Sequence, residues 1–518
     1  MSAAAPTAIP AGAVARPRLP DWWPLAAFVL LAAVLRLSTL GLQSLWYDEA
    51  FTVVRDLHPS LSATLHSFVH TENTPPLWYL LLWADTRVLG DSAIAVRLPS
   101  ALFGIAVVPV AWAIAKELAG RRAAVLCGAL VAVNPLLVWY SQEARAYGLY
   151  VFTAALAMLC FVRAERDPSA RRMTLFALAG ALALLSHYFA VFLLAPMVAW
   201  LLLQPRTRRS GAFAAAALTA VGLALLPLIL AQGGHGTQWI GQWPLSERLQ
   251  AIPQYYLSGY MGSALGHGVE LLVALPILAG AAFGIWRMYE PPAAARKRGA
   301  QAERAQASLP HERRGLVMSA AIAACGILLP LVLVAFGADY LAPRNLIGAM
   351  IPLTVAIAIL VASPSTGRAG VVFGTLIALA ALVITIDVNL SPRLQRGDWR
   401  AVAHALRGAG GSERAITTVQ LGDTPLEYYL TGMRHLPARA SVLLREIDET
   451  GYSPLRRSAG TPPAPGFHLL ARQNFNGLIV YRFVSPVPRP VSYATLARHV
   501  ITLAEPEVLV SEYARVSA

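Results

Sequence analysis

Apolar residues come in long blocks along this chain, broken by short polar stretches. The blocks fall at 24–42, 95–118, 123–140, 147–163, 173–187, 189–203, 212–231, 269–287, 316–337, 345–362 and 369–387. A bilayer core takes about 20 apolar residues per helix, and about 17 still suffice. The pattern therefore predicts eleven transmembrane helices, several adjoining so closely that they form hairpins. Segment 75–90 (PPLWYLLLWADTRVLG) starts apolar but ends with Asp85 and Arg87. Loop charge decides its place. If it does not span, and Arg16 and Arg18 are cytoplasmic, then Arg121–Arg122, the 163–172 and 206–209 clusters, the 287–314 cluster and Arg368 all fall inside, as the positive-inside tendency requires. Segment 75–90 is thus predicted to be an interfacial helix in a large first external loop, 43–94.

After residue 387 the pattern changes. Short apolar runs (AITTVQ, SVLLRE, GLIVYRFV, EVLVSEY) alternate with a helical stretch (DWRAVAHAL) and Pro/Gly-rich turns, which reads as a small α/β domain. Eleven spans from a cytoplasmic start put it outside. The predicted organisation is a cytoplasmic tail 1–20, a transmembrane domain 21–390 and an extracytoplasmic domain 391–518, with 288–315 as a basic, mobile cytoplasmic loop. No cleavable signal peptide is expected, and neither a solenoid-type repeat nor an inverted duplication of the transporter sort is evident.

Composition agrees. Hydrophobic residues make up 56% of the 518 positions and charged residues only 14%. A water-soluble domain carries about 25% charged residues, so soluble enzymes, disordered chains and disulfide scaffolds are excluded. The net charge of +14 would suggest nucleic acid in a soluble protein; here loop arginine accounts for it, and no nucleic-acid partner is expected. The three cysteines, Cys127, Cys160 and Cys325, lie inside apolar blocks and suggest neither a disulfide nor a zinc site.

With this topology, polar residues from five stretches gather near the outer ends of the helices: Asp48 and Glu49; His70, Glu72 and Asn73; Gln142, Glu143, Arg145 and Tyr147; His187 and Tyr188; Tyr340 and Arg344. Ionisable groups at membrane depth are costly, so they face a cavity or one another. An Asp–Glu pair at a helix end is, taken singly, solvated loop charge. The string SQEARAY is harder to dismiss, because a simple turn between two spans would favour Gly, Ser or Asn. On a continuing helix Glu143 and Tyr147 would share a face. Arg145 could clamp a phosphate or pair with Glu143 or Asp48. Arg36, inside the first span, needs an internal acceptor or a snorkelling route, and Arg97 is expected to snorkel.

WYDEAFT, TPPLWYLLLW, RLPSALFG, NPLLVWYSQEARAY, LSHYFA and a late RGDWRAVAHAL follow one another along the chain. In this order they resemble the polyprenyl-phosphate-sugar-dependent glycosyltransferases of the GT-C superfamily, especially glycosyltransferase family 39, home of protein O-mannosyltransferases and the lipid A aminoarabinose transferase. The resemblance covers residues 20–390 in layout and is most specific in the first 200. It implies a GT-C-like polytopic α-helical membrane protein, set in a bacterial inner membrane. Such an enzyme takes a sugar from a polyprenyl-phosphate donor on the extracytoplasmic face and passes it, usually with inversion, to a protein, lipid or glycan acceptor. It also implies an essential carboxylate in the first loop, here Asp48, with Glu49 beside it. The aminoarabinose transferases place an acidic residue and a lysine just before their proline. Here Asn73 and Thr74 stand there, with Glu72 one residue off register, so metal dependence stays open.

The chemistry needs a base for the acceptor and positive charge for the departing phosphate. The expected roles are Asp48 as base, supported by Glu49, with Arg145, His187 and Arg344 as phosphate contacts. His70, Glu72, Gln142, Glu143, Tyr147, Tyr188 and Tyr340 would line the pocket. A divalent ion, with Glu49 and Glu72 as candidate ligands, is the alternative to arginine for the second task. Two other readings compete. A lipid-headgroup or solute transporter would hold its charges at the midplane with inverted repeats. A cell-envelope scaffolding factor would leave Asp48–Glu49 and SQEARAY apart in space.

Overall fold

In the computed structural model, residues 22–234, 237–260, 268–291, 300–407, 411–502 and 505–517 are described. The expected tail 1–20 lies outside them. Helices occupy every predicted apolar block. Among the described residues, six stretches are long and apolar enough to cross a membrane: Ala93–Val133, Tyr147–Arg166, Arg208–Gln232, Glu270–Met288, Ser308–Ala335 and Pro343–Leu390. Trp23–Leu37 and Ala190–Leu203 are shorter apolar helices.

Two predicted spans, 95–118 and 123–140, merge into Ala93–Val133, broken at Gly120, whose φ of +82° is open to glycine and strained for other residues. Gly148 lets Tyr147–Arg166 lie against this helix: a Cβ there would stand 2.8 Å from the Ser100 carbonyl oxygen. Arg36 sits fully buried on Trp23–Leu37 and donates to the Ala132 carbonyl at 2.9 Å and to Val131 at 3.3 Å. Those carbonyls end a helix and lack intrahelical partners, so they are the internal acceptor that a buried guanidinium needs.

The basic segment 288–315 is not a loop throughout. Helix Ala300–Ala335 begins well before the apolar block at 316, so its first part is a polar extension of a membrane helix. Periodicity within the apolar block gave no sign of it.

The first loop folds as short helices Tyr47–Phe51, Leu61–Thr71 and Leu77–Leu89. Leu77–Leu89, whose thirteen residues rise about 20 Å, is not among the stretches long and apolar enough to cross a membrane. Its Trp78, Tyr79 and Leu82 are buried in a cluster with Leu45, Phe68, Ala144 and Leu149.

Beyond the last long helix, Gly367–Leu390, seven strands form one mixed sheet: β1 (Arg414–Val419), β2 (Met433–His435), β3 (Ser441–Tyr452), β4 (His468–Phe475), β5 (Leu478–Ser492), β6 (Pro506–Ser511) and β7 (Val516–Ser517). The order is β2-β6-β1-β3-β5-β4, with β7 on β3, and only β1 and β3 run parallel. The four apolar runs are β1, β3, β5 and β6, and DWRAVAHAL holds helix Trp399–Leu406, capped by the Asp398 carboxylate accepting from Ala401 N–H at 3.0 Å. This domain rests on the first loop. Tyr47 meets Trp399 and Tyr452 edge-on, Ser44 Oγ accepts from Trp399 N–H at 3.1 Å, and Arg55 reaches Asp423 and Glu427 at 2.9 Å each.

Candidate active site

The helix after Trp46 is only five residues long, and its second and third residues are Asp48 and Glu49. Neighbours on a helix point about 100° apart, so the two carboxylates part company. Asp48 lines a cavity of about 850 Å³, whereas Glu49 is fully buried beneath it.

Glu49 is held on both oxygens. Arg97 Nε meets Oε1 at 2.7 Å and Nη2 meets Oε2 at 2.6 Å, and the Ala144 N–H adds a 2.8 Å bond. Burial alone pushes the Glu49 carboxyl up; the Arg97 guanidinium and its hydrogen bonds outweigh it, and the net shift is down. Arg97 also donates to the carbonyls of Leu40, Gln43 and Ser44, at 3.1, 2.8 and 2.9 Å. It does not snorkel: five acceptors inside the protein offer more than the interface would.

A second buried pair lies alongside. Arg396 Nη2 meets Glu143 Oε2 at 2.9 Å, and its guanidinium lies 3.9 Å over the Trp46 ring and 5.0 Å from that of Trp139. The helical phase assumed for SQEARAY does not hold. Helix Pro135–Ser141 ends before Gln142 and Tyr147–Arg166 starts a new one, so Glu143 and Tyr147 face different partners. Gln142 donates to the carbonyls of Leu35 and Arg36 and to Thr39 Oγ1, pinning the turn to the end of the first helix. Glu49, Gln142 and Glu143 therefore stand outside the cavity lining.

The cavity itself collects Asp48, His70, Glu72, Arg145, Tyr147, His187, Tyr188, Tyr340 and Arg344. Arg344 Nη1 reaches Asp48 Oδ2 at 3.0 Å and lies 5.0 Å over Trp239. The loop that carries it is tied down by a bidentate Arg248–Asp339 pair at 2.6 and 2.8 Å. Arg145 makes no ion pair with Glu143 or Asp48, reaching only the Asp48 carbonyl oxygen at 3.4 Å. Both its Nη atoms engage Glu72, and Nη1 donates to Thr52 Oγ1 at 2.9 Å. Near Glu72, Asp56 accepts from Thr71 Oγ1 at 2.5 Å; burial and the Glu72 charge push its pKa up to about 8. His187 Nδ1 accepts from the Phe189 N–H at 3.2 Å, so a neutral ring carries its proton on Nε2. Leu184, Val191, Leu225, Ile229 and Leu333 continue the lining as an apolar wall.

As metal ligands, Glu49 and Glu72 fit poorly: guanidinium groups already occupy both oxygens of each, and a cation would have to displace Arg97 or Arg145. Among the described residues Asp423, Glu427 and His435 are grouped closely enough to hold an ion, and there Arg55 fills the cationic role.

Three contributors escaped the sequence reading. Arg396 stands in the RGDW string that was noticed only as a motif. Gln232 ends an apolar helix, lines the cavity, accepts from Tyr188 OH at 2.7 Å and donates to the Thr74 carbonyl at 3.1 Å. Nothing in the sequence singles out Asp56.

Structures of known proteins share this fold. ArnT from Cupriavidus metallidurans bound to undecaprenyl phosphate superposes with a TM-score of 0.51 at 11% identity, over 89% of this chain and 98% of that one. Its apo state gives 0.50 at 12% identity, over 88% and 97%. This chain shares its fold with ArnT. The profile of the family described as dolichyl-phosphate-mannose-protein mannosyltransferase matches residues 73–231, from Asn73 to the end of the helix carrying Gln232. No curated protein sequence matches the chain.

Proposed function

We propose that this protein is a membrane glycosyltransferase that moves a sugar from a polyprenyl-phosphate donor to an acceptor on the extracytoplasmic face. The observation that carries the reading is Asp48 beside Arg344 in a cavity whose other wall is apolar. Supporting it are the partial match to a mannosyltransferase family, the fold shared with ArnT, and the undecaprenyl phosphate bound by that protein. A transporter would need its charges at the midplane; these sit at one end of the helices. In this reading the eleven helices all span, counting Ala93–Val133 as two. The chain belongs to a bacterial inner membrane, and domain 391–518 lies outside, over the first loop.

The step is a displacement at the anomeric carbon. Asp48 accepts the proton of the acceptor group, the acceptor oxygen bonds to that carbon, and the bond to the phosphate oxygen breaks. Polyprenyl phosphate leaves with the electron pair. Arg344 turns from Asp48 to the donor phosphate, which frees the base and neutralises the leaving group at once. His187 offers Nε2–H to the same phosphate. Arg145, committed to Glu72, shapes the cavity through that pair, and Glu49 orients Asp48 from below. Membranes incubated with radiolabelled polyprenyl-phosphate sugars should yield a labelled acceptor. Asp48→Asn should lower that transfer by about 100- to 10,000-fold while inserting and folding normally. Near-normal transfer by this variant would sink the assignment.

A further inference from the structure

A second cavity, of about 720 Å³, opens at the opposite ends of the helices. Arg97 and Glu117 lie on one helix, residues 97 and 117, about 30 Å apart along its axis. A cavity lined by Glu117 is therefore a membrane's thickness from Asp48. Its cationic lining is Lys116, Arg163, Arg166 and His311, drawn from three separate helices. Its two carboxylates are already engaged. Glu117 Oε1 accepts from Arg163 Nε at 2.7 Å, and buried Glu312 accepts from Ser308 Oγ at 2.6 Å and Ser363 Oγ at 2.5 Å. His311 Nε2 stands 2.9 Å from the Glu117 carbonyl oxygen, which fixes it as a donor there. Lys116 and Arg166 have no hydrogen-bond or ion-pair partner among the described residues. Among the described residues, Lys116 and Arg166, both exposed, thus bring unmatched positive charge to the lining of a cavity that opens to the surface.

The remaining wall is apolar. Leu25, Pro109 and Trp112 line it, and Trp112 packs against Phe28 with ring centroids 6.4 Å apart. Leu25 and Phe28 belong to helix Trp23–Leu37 and are themselves only partly buried, so this apolar wall reaches the surface of the helix bundle. A free anion would have no use for that wall.

We propose that this cavity binds the phosphate of an anionic lipid. Lys116 and Arg166 contact the phosphate oxygens, and the lipid chain follows Leu25, Pro109 and Trp112. The site is separate from the Asp48 cavity and does not depend on the transferase reading.

The test is native mass spectrometry of the full chain in detergent, titrated with dioleoyl phosphatidylglycerol and, separately, dioleoyl phosphatidylcholine. Each cation near a lipid headgroup contributes about fivefold in affinity, so Lys116→Gln with Arg166→Gln should weaken phosphatidylglycerol binding roughly 25-fold. Phosphatidylcholine binding should be weak and unchanged. The control is Arg206→Gln with Arg209→Gln, basic residues at the same end of the helices but outside the lining, which should bind as wild type does. Equal losses in the two variants would reduce the effect to general surface charge and overturn the site. Displacement of the lipid by millimolar inorganic phosphate would overturn the lipid assignment and leave a plain phosphate site.

Discussion

Replacing Glu49 by Gln tests whether this carboxylate acts on substrate or on the protein. The side chain is fully buried and its oxygens receive two guanidinium N–H groups and one backbone N–H, at 2.6 to 2.8 Å. An amide keeps one oxygen but turns an NH2 towards a donor of Arg97. At least one charge-assisted bond is lost, and such bonds contribute about 1.5–3 kcal/mol. The larger cost is Arg97 itself, which stays buried with its charge uncompensated; breaking a buried pair on one side costs about 3–5 kcal/mol. Three carbonyl contacts remain to it, so the lower half of that range is expected. Thermal unfolding of the purified protein in detergent should show a drop of many degrees for Glu49→Gln. Glu49→Gln combined with Arg97→Gln should restore part of it, because the double change leaves no buried charge behind. A Glu49→Gln protein that melts like wild type but has lost turnover would refute this reasoning and return Glu49 to the reacting groups.

Two further outcomes follow from the same accounting. Arg55 also meets two carboxylates, but a third of its side chain is exposed, so water and salt screen the pair. Arg55→Ala should cost about 1 kcal/mol or less, and a loss as large as that for Glu49→Gln would contradict the burial argument. Asp56 keeps its proton in the folded protein up to about pH 8, while in the unfolded chain it ionises near pH 4. Its contribution is therefore complete below about pH 4 and fades as pH rises to about 8. Asp56→Asn should remove that dependence and melt above wild type at alkaline pH; parallel pH curves for the two proteins would dismiss the shift.

Much of the architecture was readable from the sequence, because an apolar block long enough for a bilayer needs no knowledge of its neighbours. The β-strands of the C-terminal domain were visible for a similar reason: AITTVQ and GLIVYRFV carry their burial on both faces. The roles of single charges were not readable in this way. Glu49 and Asp48 are adjacent, yet a short helix sends one beneath the cavity and the other into it. Arg97 looked like a snorkelling residue because its acceptors lie at 40, 43, 44 and 49, a stretch whose path only the fold defines. For Arg145 the sequence offered a phosphate, Glu143 or Asp48, and its ion-pair partner is Glu72, brought close by the helix Leu61–Thr71. Nine of the expected residues line the cavity and three do not; which acid meets which base depends on three-dimensional packing.

The aromatic seat of Arg396 has a consequence for biosynthesis. Glu49 and Glu143 are made long before the arginine that lies against both, and at 5–20 residues per second the ribosome needs about 10–50 s to travel from residue 143 to residue 396. Throughout that interval Glu143 has no cationic partner and must stay hydrated or protonated at the membrane surface. Closure of this centre is therefore a late event, coupled to the emergence of the segment after the last membrane helix. A ribosome stalled before residue 396 would leave an inserted bundle with its outer end still open.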